Sequence, residues 1–468
     1  MSNLNRDILY LIFKQQLQDD KKTLCSCLLV NKTWCKMIVP ILWKNPWESL
    51  KREHEIILLK VIITHLSCDS RKKIEAHIFN LLSNFHRNPS FNYISYCKHL
   101  NLDEILRIVS ENIINEKTII LNVQTEVLNL FLNKNMKFTH LYMRRNFKHR
   151  FHLIHGAERC FSEIEFLSCS TCIDNIILTK LIESCESIKE LKLFIELENN
   201  NNYRIIKLIE AQRKLSNVDL VRYIYDSGPF CKILEDSLIK HAIAIQYCRI
   251  IIPPSTNFLS SFVNLKELEL GYNIKAPTSW NCIGNLSFPF LQILKSSNVP
   301  IDVLTSLIKN TNRNLIEIKI GCVNFDEIGN KKLIQAIYLK CPNIRYLTLL
   351  IRNCNILELE MLLISCQHLN GLYILINNND DLSFDWNKLF EVLTKSSPTS
   401  LFKIKFHSNE LPTLETFKLF FDNWSGRKPM FLQNINDMDI NSELISRFKS
   451  EGIVVKGLNY NQSTEDFE

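Results

Sequence analysis

From about residue 138 the chain keeps returning to one short arrangement of apolar positions, apolar-x-x-apolar-x-apolar. It is met at Phe138/Leu141/Met143, Phe161/Ile164/Phe166, Ile188/Leu191/Leu193 and Leu215/Val218/Leu220. A weak copy, Ile243/Ile245, has Lys240 in place of its first anchor. Leu265/Leu268/Leu270, Leu291/Leu294, Leu315/Ile318/Ile320, Ile344/Leu347/Leu349, Leu369/Leu372/Ile374 and Leu401/Ile404/Phe406 continue the series. First anchors are 23, 27, 27, 25, 25, 26, 24, 29, 25 and 32 residues apart. A period of this size signals stacked supersecondary units, each unable to bury its own apolar face without its neighbours. Between the short extended phrases lie stretches with helical spacing, such as Asn330 to Leu339 and Leu357 to Ser365.

The first 45 residues follow a different rhythm. Leu4, Ile8, Leu9, Ile12, Phe13 and Leu17 fall at helical spacing, with Asp7 in the first turn. Polar residues 18–22 break the run, and Thr23 is placed to cap a second helix carrying Leu24, Cys27, Leu28 and Val30. A third amphipathic stretch holds Trp34, Met37, Ile38, Leu42 and Trp43. Three short helices in about 40 residues lie near the lower limit for independent stability, so the unit gains from packing on a partner. Residues 46–90 read as a helical connection. Residues 91–102 read as an early strand unit with Leu100 and Leu102 as its apolar pair. The repeat array runs over 91–457, and 458–468 is a polar tail.

Two further signals concern the repeats. Asn or Cys is expected three places beyond the last apolar position, where the chain turns and backbone groups need partners. Those places hold Asn146, Cys169, Cys248, Asn273, Asn377 and Asn409. Cysteine also stands three residues before the first anchor at Cys185, Cys341 and Cys366.

The array resembles the cysteine-containing class of leucine-rich repeats. That resemblance implies parallel strands on a concave face and helices on a convex one, an α/β solenoid behind a three-helix module. Residues 4–43 resemble the F-box, with matches at Leu4, Ile8, Leu9, Ile12, Phe13, Leu17, Val30, Lys32, Trp34, Leu42 and Trp43. Asn5 stands where the family has proline, and Asp7 where it has glutamate. The resemblance implies a substrate receptor of an SCF-type (cullin–RING) ubiquitin ligase. Leu4, Ile8, Leu9, Ile12, Phe13, Leu28, Val30, Trp34, Leu42 and Trp43 would meet a Skp-family adaptor and, through it, cullin. The alternative is a leucine-rich-repeat scaffold with no ligase link, its first 43 residues serving only as a cap.

Composition narrows the remaining classes. An apolar content of 46% supports a large core, and a net charge of +7 spread over 468 residues is too mild an excess to point to nucleic acid. Only 10 glycines are present, with no Gly-rich phosphate loop among them. The most apolar run, Ile56 to Leu66, is interrupted by Lys60 and His65 and is too short to span a bilayer. With no signal-peptide pattern at the start, an intracellular setting is expected, and the 16 cysteines read as reduced, buried, small hydrophobes. The pair Cys169/Cys172 lacks a second pair at zinc-ribbon distance. The histidines 149, 152 and 155 lack framing ligands, and the basic run Arg144, Arg145, Lys148, His149, Arg150 reads as a solvated loop. No nucleophile–base pair stands out, so neither enzyme nor cofactor is expected.

Side chains alternate along a strand, so the two x positions flanking each middle anchor face out from the strand layer. They read His140/Tyr142, Glu163/Glu165, Glu190/Lys192, Asn217/Asp219, Ala242/Ala244, Glu267/Glu269, Ile293/Lys295, Glu317/Lys319, Tyr346/Thr348, Gly371/Tyr373 and Lys403/Lys405. The middle of that face is expected to be acidic and its C-terminal third basic. Tyr346, Tyr373, Lys403 and Lys405 are the expected client-binding end, since aromatic residues beside cations favour binding patches.

Overall fold

The computed structural model describes residues 5–16, 20–48, 50–74, 89–113, 117–144, 157–196, 200–222, 228–271, 280–321, 326–376, 383–408, 410, 412–434, 447–448 and 450–457. Leu4, Leu17, residues 145–156 with the three spaced histidines, Asn273, Asn377, Asn409 and the tail 458–468 lie outside them. The chain divides into two compact units, 1–215 and 216–468. The unit boundary therefore falls inside the repeat array.

The first unit opens with three short helices, α1 (Arg6–Leu11, prolonged by a π-helical turn over Ile12–Gln16), α2 (Lys21–Cys27) and α3 (Lys32–Leu42). Each has a side-chain cap: Asn5 accepts from Asp7 N, Asp20 from Thr23 N and Asn31 from Trp34 N. Asp20, one position before the helix, takes the capping role expected of Thr23, whose hydroxyl donates back to the Asp20 carboxylate at 2.5 Å. That carboxylate is held below the usual range by those two Thr23 bonds. Leu9, Phe13, Leu24 and Ile38 form the core of the module, with Trp34 edge-on to Phe13 at 5.1 Å. Helix α4 (Arg52–Ile63) follows, then a helical stretch over 68–74.

Four strands complete this unit's ladder: β1 (His99–Asn101), β2 (His140–Met143), β3 (Phe166–Ser170) and β4 (Glu190–Ile195), all parallel and joined in chain order. Helices lie between them, notably Leu102–Asn112, Lys117–Phe131 and Asn175–Ser184. Leu102, expected as a strand position, is the first residue of the helix that Asn101 caps through Glu104 N.

Among the described residues the second unit has ten strands: β5 (Asn217–Arg222), β6 (Tyr247–Ile250), β7 (Glu267–Leu270), β8 (Ile293–Ser297), β9 (Glu317–Gly321), β10 (Tyr346–Ile351), β11 (Gly371–Ile376), β12 (Lys403–His407), β13 (Met430–Asn434) and β14 (Val454–Gly457). Each pairs in parallel only with its sequence neighbours. Parallel neighbours demand a crossover, supplied here by helices such as Ile301–Lys309, Glu327–Lys340, Ile356–Ser365, Trp386–Ser396 and Leu414–Trp424. Strictly sequential order with one crossover per strand is the architecture of a leucine-rich-repeat solenoid. The last two strands extend it beyond the final anchor set read from sequence, Leu401/Ile404/Phe406.

Apart from the units read at Phe161/Ile164/Phe166 and Ile243/Ile245, every described anchor is buried, most of them completely. One carbonyl per unit carries the junction: Lys98 O accepts from Thr139 N (2.9 Å) and His140 N (3.2 Å), and Lys266 O from Gln292 N (2.7 Å) and Ile293 N (3.0 Å). The cysteines before the anchors serve the same stacking. Cys185 Sγ donates to Phe161 O at 3.0 Å and Cys366 Sγ approaches Cys341 O at 3.7 Å, both reaching back one unit. Gly271 ends β7 at φ +79°, and a Cβ there would lie 1.9 Å from Ser297 O, so only glycine fits.

Two units sit in a different register from the one read in sequence. Leu167 pairs with Leu141 and Cys169 with Met143, so the second unit is Ile164/Leu167/Cys169. Phe166 lies opposite His140 on the outer face, and Phe161 takes the place that cysteine holds elsewhere. The weak unit is Ile245/Cys248/Ile250, because Cys248 pairs with Leu268 and Ile250 with Leu270. Ile243 is 77% exposed in the turn after the helix Pro229–Ile239. Both errors arise where cysteine stands in for a strand aliphatic. Cys169 and Cys248 are therefore core residues and not the turn residues that the spacing predicts.

Candidate functional site

Register, not proximity in sequence, decides which side chains share the outer strand face. In the first unit that face is aromatic. The His99 and His140 rings stack at 3.8 Å, and Phe166 lies 5.3 Å from His140 and 5.1 Å from Tyr142. Burial, and then the charges of His140 and Lys44, press the His99 imidazole down to about 3; burial and Lys44 lower His140 as well. Burial pushes the Tyr142 phenol up to about 12. Both imidazoles are therefore neutral at physiological pH, able to offer or accept a single hydrogen bond. Glu163 and Glu165, expected on this face, precede β3; Phe166 and Ser168 occupy the face instead.

In the second unit the corrected register puts Tyr247 and Arg249 on the face in place of Ala242 and Ala244. Arg249 stands between Asp219 (Nη1–Oδ2 3.5 Å) and Glu269 (Nε–Oε1 2.9 Å, off the N–H direction and so ionic in character). Burial opposes its charge, but Glu269 and Asp219 more than offset this and raise its pKa. Tyr247 Oη reaches Glu269 at 3.4 Å, and Lys295 pairs with Glu267 at 3.1 Å. The expected acidic middle is instead a band of alternating, mutually compensated charges. No sequence cue marks Arg249, because its strand lies five residues beyond the Ile243/Ile245 pair to which the apolar pattern points.

The C-terminal part carries the four residues read as a client-binding end. Tyr346 aligns with Gly371 and Gly371 with Lys403, while Thr348 aligns with Tyr373 and Tyr373 with Lys405. The register thus brings all four onto three adjacent strands. Lys405 Nζ lies 4.6 Å from the Tyr373 ring centre, a cation–π contact. Burial, followed by the nearby Lys319, lowers the Lys405 pKa. Thr348 is buried between them.

The N-terminal module divides its predicted contact set. Leu9 and Phe13 are interior, so they shape the surface without forming it. Ile12, Leu28, Trp34 and Leu42 are half-buried. Ile8 (48% exposed) and Val30 (56%) point outward, joined by Tyr10, Leu11 and Leu29, the last at 89%. Trp43 is turned inward onto Tyr93 at 4.6 Å. Lys44 O accepts from Lys98 N (2.9 Å) and His99 N (3.2 Å), repeating one step earlier the carbonyl junction made between repeats. Trp47 Nε1 donates to His99 O at 2.8 Å. The segment after α3 therefore begins the ladder, a role that nothing in its F-box-like pattern announced.

No group of three or more His, Cys, Asp or Glu among the described residues is arranged to hold a metal ion. Cys169 of the Cys-x-x-Cys pair faces the core, with its thiol pKa raised by burial. Arg144, from the basic run, donates its backbone N–H to Asp103 and lays its guanidinium over Phe194 at 4.4 Å. No helix among the described residues is long and apolar enough to cross a membrane.

The chain matches no family model and no curated protein. Among solved structures it is similar to the crystal structure of the Rad7 and Elc1 complex in yeast, at 13% identity over 63% of this chain and 75% of that one, with a TM-score of 0.41. It is also similar to the leucine-rich repeat-containing protein LegL7 from Legionella pneumophila, at 17% identity over 57% and 74%, with a TM-score of 0.27. The assignment to the leucine-rich-repeat fold rests on the ladder itself.

Proposed function

We propose that this chain is a non-catalytic substrate receptor of an SCF-type ubiquitin ligase, its module taking a Skp-family adaptor and its strand face a client protein. The observation that carries this reading is the apolar surface of the module. A bundle whose core is four side chains leaves Ile8, Leu11, Leu29 and Val30 open to water, and small domains retain such residues when a partner covers them. The match of residues 4–43 to the F-box pattern gives the partner its class. The client segment is acidic or phosphorylated, held by Lys403 and Lys405 with Tyr346 and Tyr373 as rigid apolar contacts. On this reading the protein acts within the cell.

A second reading, a scaffold whose first helices only cap the repeats, is favoured by one observation: Lys44 O supplies the first junction of the ladder. The two are separated by affinity purification of the full chain under proteasome inhibition, followed by mass spectrometry. Recovery of a Skp-family adaptor and cullin supports the receptor; their absence, with other partners recovered, supports the scaffold.

A further inference from the structure

A cavity of about 460 Å³ opens between the module and the first strands, all within the first unit. Lys14, Lys21, Lys44 and Lys98 reach its wall from four separate places: the π-helical turn, the start of α2, the end of α3 and the approach to β1. Among the described residues Glu48 is the only carboxylate in the lining, and it already pairs with Lys21 at 3.0 Å. Among the described residues no carboxylate is set against Lys14 or Lys44. Lys98 Nζ donates to Lys137 O at 3.2 Å and Lys21 Nζ to Glu48 O at 3.0 Å, so these two ammonium groups already have partners; four lysines around one concavity still raise the local potential, because low-dielectric walls focus the field. The neutral imidazoles of His99 and His140 line the same space as hydrogen-bonding groups, and Tyr10 and Leu24 add apolar wall.

We propose that this cavity binds a small phosphorylated molecule. Its volume suits a small-molecule ligand. Lysines converging from several directions match a compact group with several charged oxygens better than a single planar carboxylate, which Arg forks would clasp. Burial is the main cause of the lowered imidazole pKa values; Lys44 and Lys21 add to it at His99 after His140, and Lys44 adds to it at His140 against Glu165. The site is independent of the adaptor reading, since it needs neither an adaptor nor a client.

The test is calorimetric titration of the full chain with pyrophosphate, with citrate as a multiply charged carboxylate in a parallel arm. Saturable one-to-one binding of pyrophosphate is expected, with citrate at least tenfold weaker. The double substitution Lys14→Ala and Lys44→Ala alters two exposed side chains. It should weaken pyrophosphate at least tenfold while leaving the thermal unfolding midpoint in place. His140→Phe, which keeps a ring in the stack, should weaken it too. Absence of saturable binding at millimolar pyrophosphate, equal binding of citrate, or unchanged affinity in the lysine double variant would each overturn the proposal.

Discussion

Replacing Arg249 by alanine probes the observed register directly, because the sequence pattern alone predicts an alanine on the face at that repeat. The guanidinium is 21% exposed, and its partners Asp219 and Glu269 are 13% and 27% exposed, so all three charges are partly desolvated. Asp219 and Glu269 sit on the strands either side of Arg249, about two strand spacings apart, or roughly 9–10 Å. At an effective dielectric of about 20 two unit charges at that distance repel by about 1.7 kcal/mol, which partial exposure and salt reduce to about 1. Two partly exposed ion pairs add about 0.5–1 kcal/mol each. Arg249→Ala should therefore cost about 2–3 kcal/mol in urea unfolding followed by far-ultraviolet circular dichroism. Adding Asp219→Asn in that background should restore about 1 kcal/mol, since one carboxylate no longer repels the other. Ile243→Lys, at a side chain 77% exposed in a turn, should change stability by less than about 0.5 kcal/mol. A loss below about 0.5 kcal/mol for Arg249→Ala, or above about 2 for Ile243→Lys, would refute the register and the charge band with it.

Three other outcomes follow from the same structure. Leu268→Asp puts a carboxylate where exposure is 0%, and should cost several kcal/mol. Hydrogen exchange should then rise in β6 and β8 as well as β7; a change confined to β7 would contradict nearest-neighbour stacking. Tyr373→Ala with Lys403→Glu should abolish client recovery while leaving adaptor recovery intact, and unchanged client recovery would remove the site from these strands. The Glu55 carboxylate, buried against Arg107 (2.7 and 3.1 Å), has its pKa lowered chiefly by those hydrogen bonds. A depressed folded pKa contributes stability above the unfolded value, about 4.5, that is lost as pH falls through the folded one. Acid unfolding should shift to higher pH in Arg107→Met, and an unshifted curve would deny the pair that role.

Where the sequence was legible, leucine or isoleucine filled the strand anchors and the register followed without ambiguity, as at Leu265/Leu268/Leu270 and Ile344/Leu347/Leu349. It failed where cysteine took an aliphatic position. With Cys248 inside the strand, the apolar pattern points instead to Ile243 and Ile245, two isoleucines with the right alternation, of which Ile243 lies in the turn and Ile245 is itself the first anchor. Phe166 misled for the opposite reason: a large apolar side chain can stand on the outer face when His140 and Tyr142 stack against it. That Tyr346, Tyr373, Lys403 and Lys405 share one strand face was legible because β10–β12 keep clean anchors. The basic cavity was not, since its lysines are separated by up to 84 positions and meet only through folding. The core of the module was visible as helical spacing, but spacing alone did not divide Leu9 and Phe13 inside from Ile8 outside.

The central claim is that the outward side of the module engages a Skp-family adaptor. Its most direct test mixes the purified full chain with the purified adaptor and measures the complex by size-exclusion chromatography with light scattering. Ile8→Asp, which adds charge to an exposed side chain and leaves the module's core untouched, is run beside the unaltered chain. A one-to-one complex that forms with the unaltered chain and is lost with Ile8→Asp, the circular dichroism of the repeats being unchanged, is the predicted result. No complex with the unaltered chain, or an equally stable one with Ile8→Asp, would contradict it.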